Sequence, residues 1–175
     1  MVYISNLFVF IFLYCLIVYA PILIVEELER STLYTGLMLS FGSAIAAITS
    51  SRAGKIFYRY RNYKIIITGF LFCGSELFFI SFAYSFIYLL GCILIWGIGF
   101  GLVFPALNTI VTQLVSSHLR AGIVSGFTTM TYIGQTLSPP LFGLILGKSD
   151  LETVFQTAGL LTTLPILFTL FMHFI

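Results

Sequence analysis

Six long apolar segments follow one another along this chain, separated only by short polar joints. They fall at residues 3–25, 33–51, 65–84, 86–111, 123–146 and 153–174. A helix needs about 20 apolar residues to cross a hydrocarbon core about 30 Å thick. Within such a core only helices and closed barrels satisfy every backbone polar group. Runs of this length therefore predict an all-α bundle of six transmembrane helices. Composition closes off a soluble helical domain: 8% of the 175 residues are charged and 59% are hydrophobic, where soluble domains carry about 25% charged residues.

The charges gather in the joints. Glu26, Glu27, Glu29 and Arg30 follow the first segment, and Lys148 to Glu152 precede the last. The longest polar stretch, expected as a loop over 52–64, carries Arg52, Lys55, Arg59, Arg61 and Lys64, and Arg120 closes the joint after the fourth segment. Basic residues concentrate in cytoplasmic loops, so the joints after segments two and four are expected on the cytoplasmic side of the plasma (inner) membrane. Six crossings bring both termini to that same side. Met1 leads directly into apolar sequence without the basic region of a signal peptide. The opening segment therefore reads as a mature membrane helix, and the chain as a truncated or separately encoded part of something longer.

Several function classes drop out. Cys15, Cys73 and Cys92 all lie inside apolar segments, and an odd number of thiols argues against a disulfide framework. His118 and His173 have no His, Cys or carboxylate at ligand spacing, so neither a metal nor a cofactor is expected. Intramembrane serine proteolysis needs a Ser in a G-x-S-G context; Ser125 sits in Gly122-Ile123-Val124-Ser125-Gly126, which has the wrong spacing. There is no Walker loop for an ATPase and no basic recognition motif for nucleic acid. A channel would need a re-entrant filter or a charged ring.

Residues inside the segments carry the functional signal. Glu76 is the one ionisable residue well inside a segment. A carboxylate there costs about 2.5–3.5 kcal/mol on insertion scales and marks a functional candidate. It fits either proton coupling or a neutral, hydrogen-bonded structural role. Thr128, Thr131, Gln135 and Ser138 follow 3-4-3 spacing and share one helical face. Tyr14 and Asn108 are further candidates for solute contact, with interhelical hydrogen bonding as the structural alternative. Gly97 and Gly101 lie four apart, as do Gly143 and Gly147, a spacing that lets helix backbones approach. Pro105, Pro139 and Pro140 remove backbone hydrogen bonds inside their helices.

The stretch from Gly54 to Lys64 resembles the short-loop signature of the major facilitator superfamily, G-x-L-x-D-R-x-G-R-R. Gly54, Ile56, Arg59 and Lys64 match; Tyr58 stands in place of the usual acid and Arg61 in place of the second Gly. Gly97 to Asn108 is similar to the Gly-rich tenth helix of drug and proton antiporters. Arg120-Ala121-Gly122 with Ser125-Gly126, and Gly134 to Gly143, resemble the entry and Gly-Pro core of the eleventh. The resemblance implies helices seven to twelve of a twelve-helix carrier, built as two three-helix inverted repeats. It also implies transport of a small-molecule substrate by alternating access, plausibly proton-coupled efflux. Its partners would be membrane lipid and an N-terminal six-helix half or a second copy. In that family the eleventh helix lines the cavity, whereas the ninth, which carries Glu76, supports the bundle from outside it. A six-helix assembly subunit without transport of its own, or an inactive half-carrier, is the alternative.

Overall fold

The computed structural model describes residues 1–59, 62–113 and 120–174, and all regular structure among them is helical. Helix α1 (Val2–Ile22) runs into one π-helical turn, Leu23–Glu27. It is followed by α2 (Thr32–Arg59), α3 (Asn62–Ile80), α4 (Phe86–Gln113), α5 (Arg120–Leu146), α6 (Leu151–Leu161) and α7 (Thr163–Phe174). The last two make the sixth crossing together. Among the described residues five spans are long and apolar enough to cross a membrane. At 27 residues α5 is equally long, and its run of Thr, Ser, Gln and Pro makes it the least apolar crossing.

Three boundaries differ from the sequence expectation. The polar stretch expected as a loop over 52–64 is helical through Arg59, and α3 begins at Asn62. Lys and Arg, good helix formers, sustain a helix beyond the point where hydropathy falls. The sixth crossing breaks at Thr162, whose hydroxyl donates to the Gly159 carbonyl (2.6 Å). Pro165 then sits in the first turn of α7, where its missing N–H has no helical partner to lose. At the end of α1, Pro21 is followed by the wide turn in which the Leu28 N–H donates to the Leu23 carbonyl (2.9 Å).

The bundle is organised around α4, which packs against α2 on one side and α3 on the other, while α1 pairs with α5. Glycines set the approach. A Cβ on Gly97 would lie 2.9 Å from the Gly42 carbonyl, and one on Gly101 would lie 2.7 Å from that of Ala46. A Cβ on Gly99 would lie 2.8 Å from the Gly69 carbonyl of α3. On α5 the close approach is at Gly134, 2.6 Å from the Leu7 carbonyl; a Cβ at Gly143 would meet only the Tyr19 hydroxyl, at 3.3 Å.

Helices α1 and α5 run parallel, joined by hydrogen bonds at a nearly constant offset. Tyr3 donates to the Ile123 carbonyl, Asn6 to Phe127, Ser138 to Ile11 and Tyr19 to Pro139. Helices α2 and α4 are the matching parallel pair, so exchanging the first three crossings for the last three maps one pair onto the other. That is the internal symmetry of two inverted three-helix repeats.

Candidate functional site

Two places concentrate the chemistry. The first is a groove of about 270 Å³ between α2 and α4. Ser43, Ala47 and Ser50 line its α2 wall, and Trp96, Phe100 and Phe104 its α4 wall. Spaced four apart, these aromatic residues stack one above the next: Trp96 and Phe100 have centroids 5.2 Å apart and planes 15° apart, Phe100 and Phe104 5.4 Å and 10°. Phe10 of α1 braces the stack at right angles, 6.4 Å from Phe100 and 5.6 Å from Phe104. Gly101 and Pro105, expected from the sequence to shape α4, also border the groove.

The second is Glu76, which is 0% exposed and has no hydrogen-bond partner for either carboxylate oxygen among the described residues. Three thiols lie within its electrostatic reach, Cys15 on α1, Cys73 on α3 and Cys92 on α4. No three His, Cys, Asp or Glu side chains among the described residues are disposed to hold a metal. A carboxylate without cation or donor is expensive in such surroundings, so the neutral acid is the form they accommodate. Glu76 lines neither the groove nor the void behind it, but residues of its own helix reach the groove's aromatic wall. Trp96 and Phe100 also border a void of about 10 Å³ with Cys73 and Leu77, neighbours of Glu76 on α3. That volume is at the lower limit for one water molecule.

The stripe on α5 divides. Thr131 accepts from Asn6 Nδ2 (2.8 Å), and the buried Ser138 hydroxyl donates to the Ile11 carbonyl (2.6 Å). Both are therefore engaged with α1. Thr128 is exposed and donates to the Val124 carbonyl of its own helix; Gln135 is half-buried. Tyr14 is half-buried on α1, and Asn108 donates to the Phe104 carbonyl at the foot of the aromatic stack. None of these six lines the α2–α4 groove. Of the basic signature, Gly54 and Arg59 fall in the last turns of α2, Lys64 in the first turn of α3 and Arg120 at the start of α5, while Arg61 lies outside the described residues, as does His118.

Sequence reasoning passed over the groove, although Trp96, Phe100 and Phe104 at intervals of four are legible as one face. It also passed over Asn6, a polar residue in an apolar helix, and Tyr19, whose hydroxyl donates to the Pro139 carbonyl at 2.7 Å.

The family model of the Major Facilitator Superfamily matches residues 2–174. This chain belongs to the Major Facilitator Superfamily. An uncharacterized MFS-type transporter of Bacillus subtilis, YwoD, is 28% identical over 164 residues, covering 91% of this chain and 36% of the relative. The bacillibactin exporter of the same organism is 27% identical over 112 residues, covering 64% of this chain and 27% of the relative. The chain thus spans about a third of the length of the curated relatives it matches. Superfamily members are transporters, and the parallel pairs α1–α5 and α2–α4 are those of a superfamily half-fold in an integral, multi-pass membrane protein.

Proposed function

We propose that this chain forms one wall of a secondary carrier that moves a small solute by alternating access, exporting it in exchange for protons. The observation that carries the reading is the solute-sized groove between α2 and α4 in a bundle of this superfamily. Substrate in such carriers lies near the bilayer midplane between two repeats or halves, so an N-terminal six-helix half or a second copy supplies the facing wall. Thr128, Gln135 and Tyr14, which lie outside the α2–α4 groove, remain solute-contact candidates. Glu76 carries the exchangeable proton. It reaches water only when the Trp96–Phe100 wall moves, which ties its protonation to occupancy of the groove. The basic joints face the cytoplasm of the plasma (inner) membrane, and both termini with them. That one of the relatives is named as an exporter supports the outward direction.

Everted vesicles holding the assembled carrier test this. With an imposed pH gradient followed by a fluorescent base, addition of a transported solute dissipates the gradient. Glu76→Gln is expected to abolish that dissipation while leaving the protein's abundance unchanged. A Glu76→Gln carrier that exchanges solute for protons like the parent returns Glu76 to a structural role.

A further inference from the structure

The groove has a chemistry that narrows what it takes. Its α4 wall is a continuous aromatic stack and its α2 wall is small, with two hydroxyls at Ser43 and Ser50; among the described residues no charged side chain lines it. Trp96, the most deeply set of the three rings, is 9% exposed, whereas Phe100 and Phe104 are half-buried. Aromatic pairs prefer offset or edge-to-face contact and gain about 0.5–1.5 kcal/mol beyond area burial. Phe10 already shows the edge-to-face mode, at 89° and 84° to Phe100 and Phe104. A flat ring laid across the stack from the groove repeats that geometry. A dry cavity of about 150 Å³ holds one benzene, so about 270 Å³ suits two fused rings.

We propose that the α2–α4 groove is a binding site for an uncharged, planar aromatic solute of about two fused rings. Its flat face lies against the Trp96–Phe100–Phe104 stack, and a polar substituent is within reach of Ser43 or Ser50. An ionic solute finds no partner among the described lining residues, and a saturated one forgoes the ring contacts. The site is the one invoked above for transport, and the inference rests on that reading only for its physiological purpose.

Trp96 is the chain's only tryptophan, so its emission reports the site directly. The protein in lipid nanodiscs is titrated with 1-nitronaphthalene, a neutral flat quencher, and with nitrocyclohexane and N-methylquinolinium as saturated and cationic counterparts. Saturable quenching by nitronaphthalene is expected, at least tenfold tighter than by either counterpart. Ala47→Leu and, separately, Ser43→Leu fill the groove from exposed positions of α2 and are expected to weaken it tenfold or more with the helix content unchanged. Quenching that rises linearly and is equal in both variants means partition into lipid and overturns the site. Equal affinity for nitrocyclohexane overturns the aromatic preference, and preference for the quinolinium overturns the uncharged one. If a variant loses folded helix, competition of nitronaphthalene quenching by unsubstituted naphthalene on the parent protein decides, absence of competition overturning the proposal. Saturable binding without solute-driven gradient loss would leave the site standing and remove the transport reading. Proton-coupled export of a saturated solute with no change in Trp96 emission would do the reverse.

Discussion

At Asn6 one amide ties two helices, donating to the Phe127 carbonyl (2.9 Å) and to the Thr131 hydroxyl (2.8 Å). Interhelical hydrogen bonds in membranes contribute about 0.6 kcal/mol each on average. Asn6→Ala is therefore expected to lower the bundle's unfolding free energy by about 1 kcal/mol, read by reversible unfolding in mixed micelles. Gly134→Ala is expected to cost more, about 2–3 kcal/mol as an overpacked site, because its Cβ would sit 2.6 Å from the Leu7 backbone carbonyl and only a shift of the whole helix relieves it. An equal or smaller loss for Gly134→Ala would mean that α1 and α5 are not in backbone contact. Residue patterns carried part of this. The 3-4-3 spacing of Thr128, Thr131, Gln135 and Ser138 fixes a shared face, but spacing does not say which helix covers it. Thr131 and Ser138 turn out to serve α1, and Thr128 stays exposed. Glu76 was legible because an ionisable residue stands out in apolar sequence, and Cys73 because it lies three residues away on the same helical face; the thiols of Cys15 and Cys92 come from other helices and were not.

Element boundaries were readable where hydropathy and capping chemistry agree. Ser85 accepts from the Tyr88 N–H at the start of α4 (3.3 Å), close to the expected joint. Where they disagree, hydropathy misleads: it ended the second helix at 51 although only Gly54 in the next eight residues disfavours a helix, and it ran the sixth crossing through Pro165. Asp150 caps α6, accepting from the Thr153 hydroxyl (2.6 Å) and N–H (2.9 Å). Those two hydrogen bonds, the hydroxyl's first, hold its carboxyl below the usual carboxylate range. The folded value lies below the unfolded one, about 3.9, so the cap's contribution is complete above the unfolded value. It is lost as pH falls through the folded one. Asp150→Asn keeps a capping oxygen without a titrating group. Acidification below about pH 4 is therefore expected to narrow the stability gap between the parent and Asp150→Asn, as seen in paired thermal melts. A gap that does not change with pH would mean that the cap is not formed. In the joint between α1 and α2, Glu29 holds φ 50°, a left-handed conformation costing a non-glycine residue about 1–2 kcal/mol. Glu29→Gly is expected to raise the unfolding free energy by up to about 1 kcal/mol, and a loss of stability would contradict the turn.

Across the whole molecule charge and side-chain size are both polarised. Glu27 interacts electrostatically with Asp150 and Glu152, which puts the α1–α2 and α5–α6 joints at one acidic end, opposite the basic joints. Around the bundle, α3 and α7 present large apolar side chains such as Leu71, Phe78, Leu167 and Phe171, the surface that lipid covers. Helix α2 exposes Leu33, Leu37, Phe41 and Ile48 as well, but beside them it leaves Ser40, Ser43, Ala44 and Ala47 exposed at helical spacing, and small residues of this kind favour helix contact or a wetted path over acyl chains. This difference yields a test that bears on the transport reading as a whole. Cys15, Cys73 and Cys92 are all buried, so the parent protein gives a quiet background for thiol labelling. In native vesicles Ser43→Cys is expected to react with a water-soluble maleimide, and Leu71→Cys to stay inert although Leu71 is 55% exposed. A thiol in hydrocarbon does not form the thiolate that attacks, so reactivity reports water and mere exposure does not. If both positions react alike, the bundle is loose and its faces are not distinguished. If both stay inert, α2 faces lipid, the groove beside it is not a solute path, and Glu76 has no aqueous neighbour with which to exchange a proton.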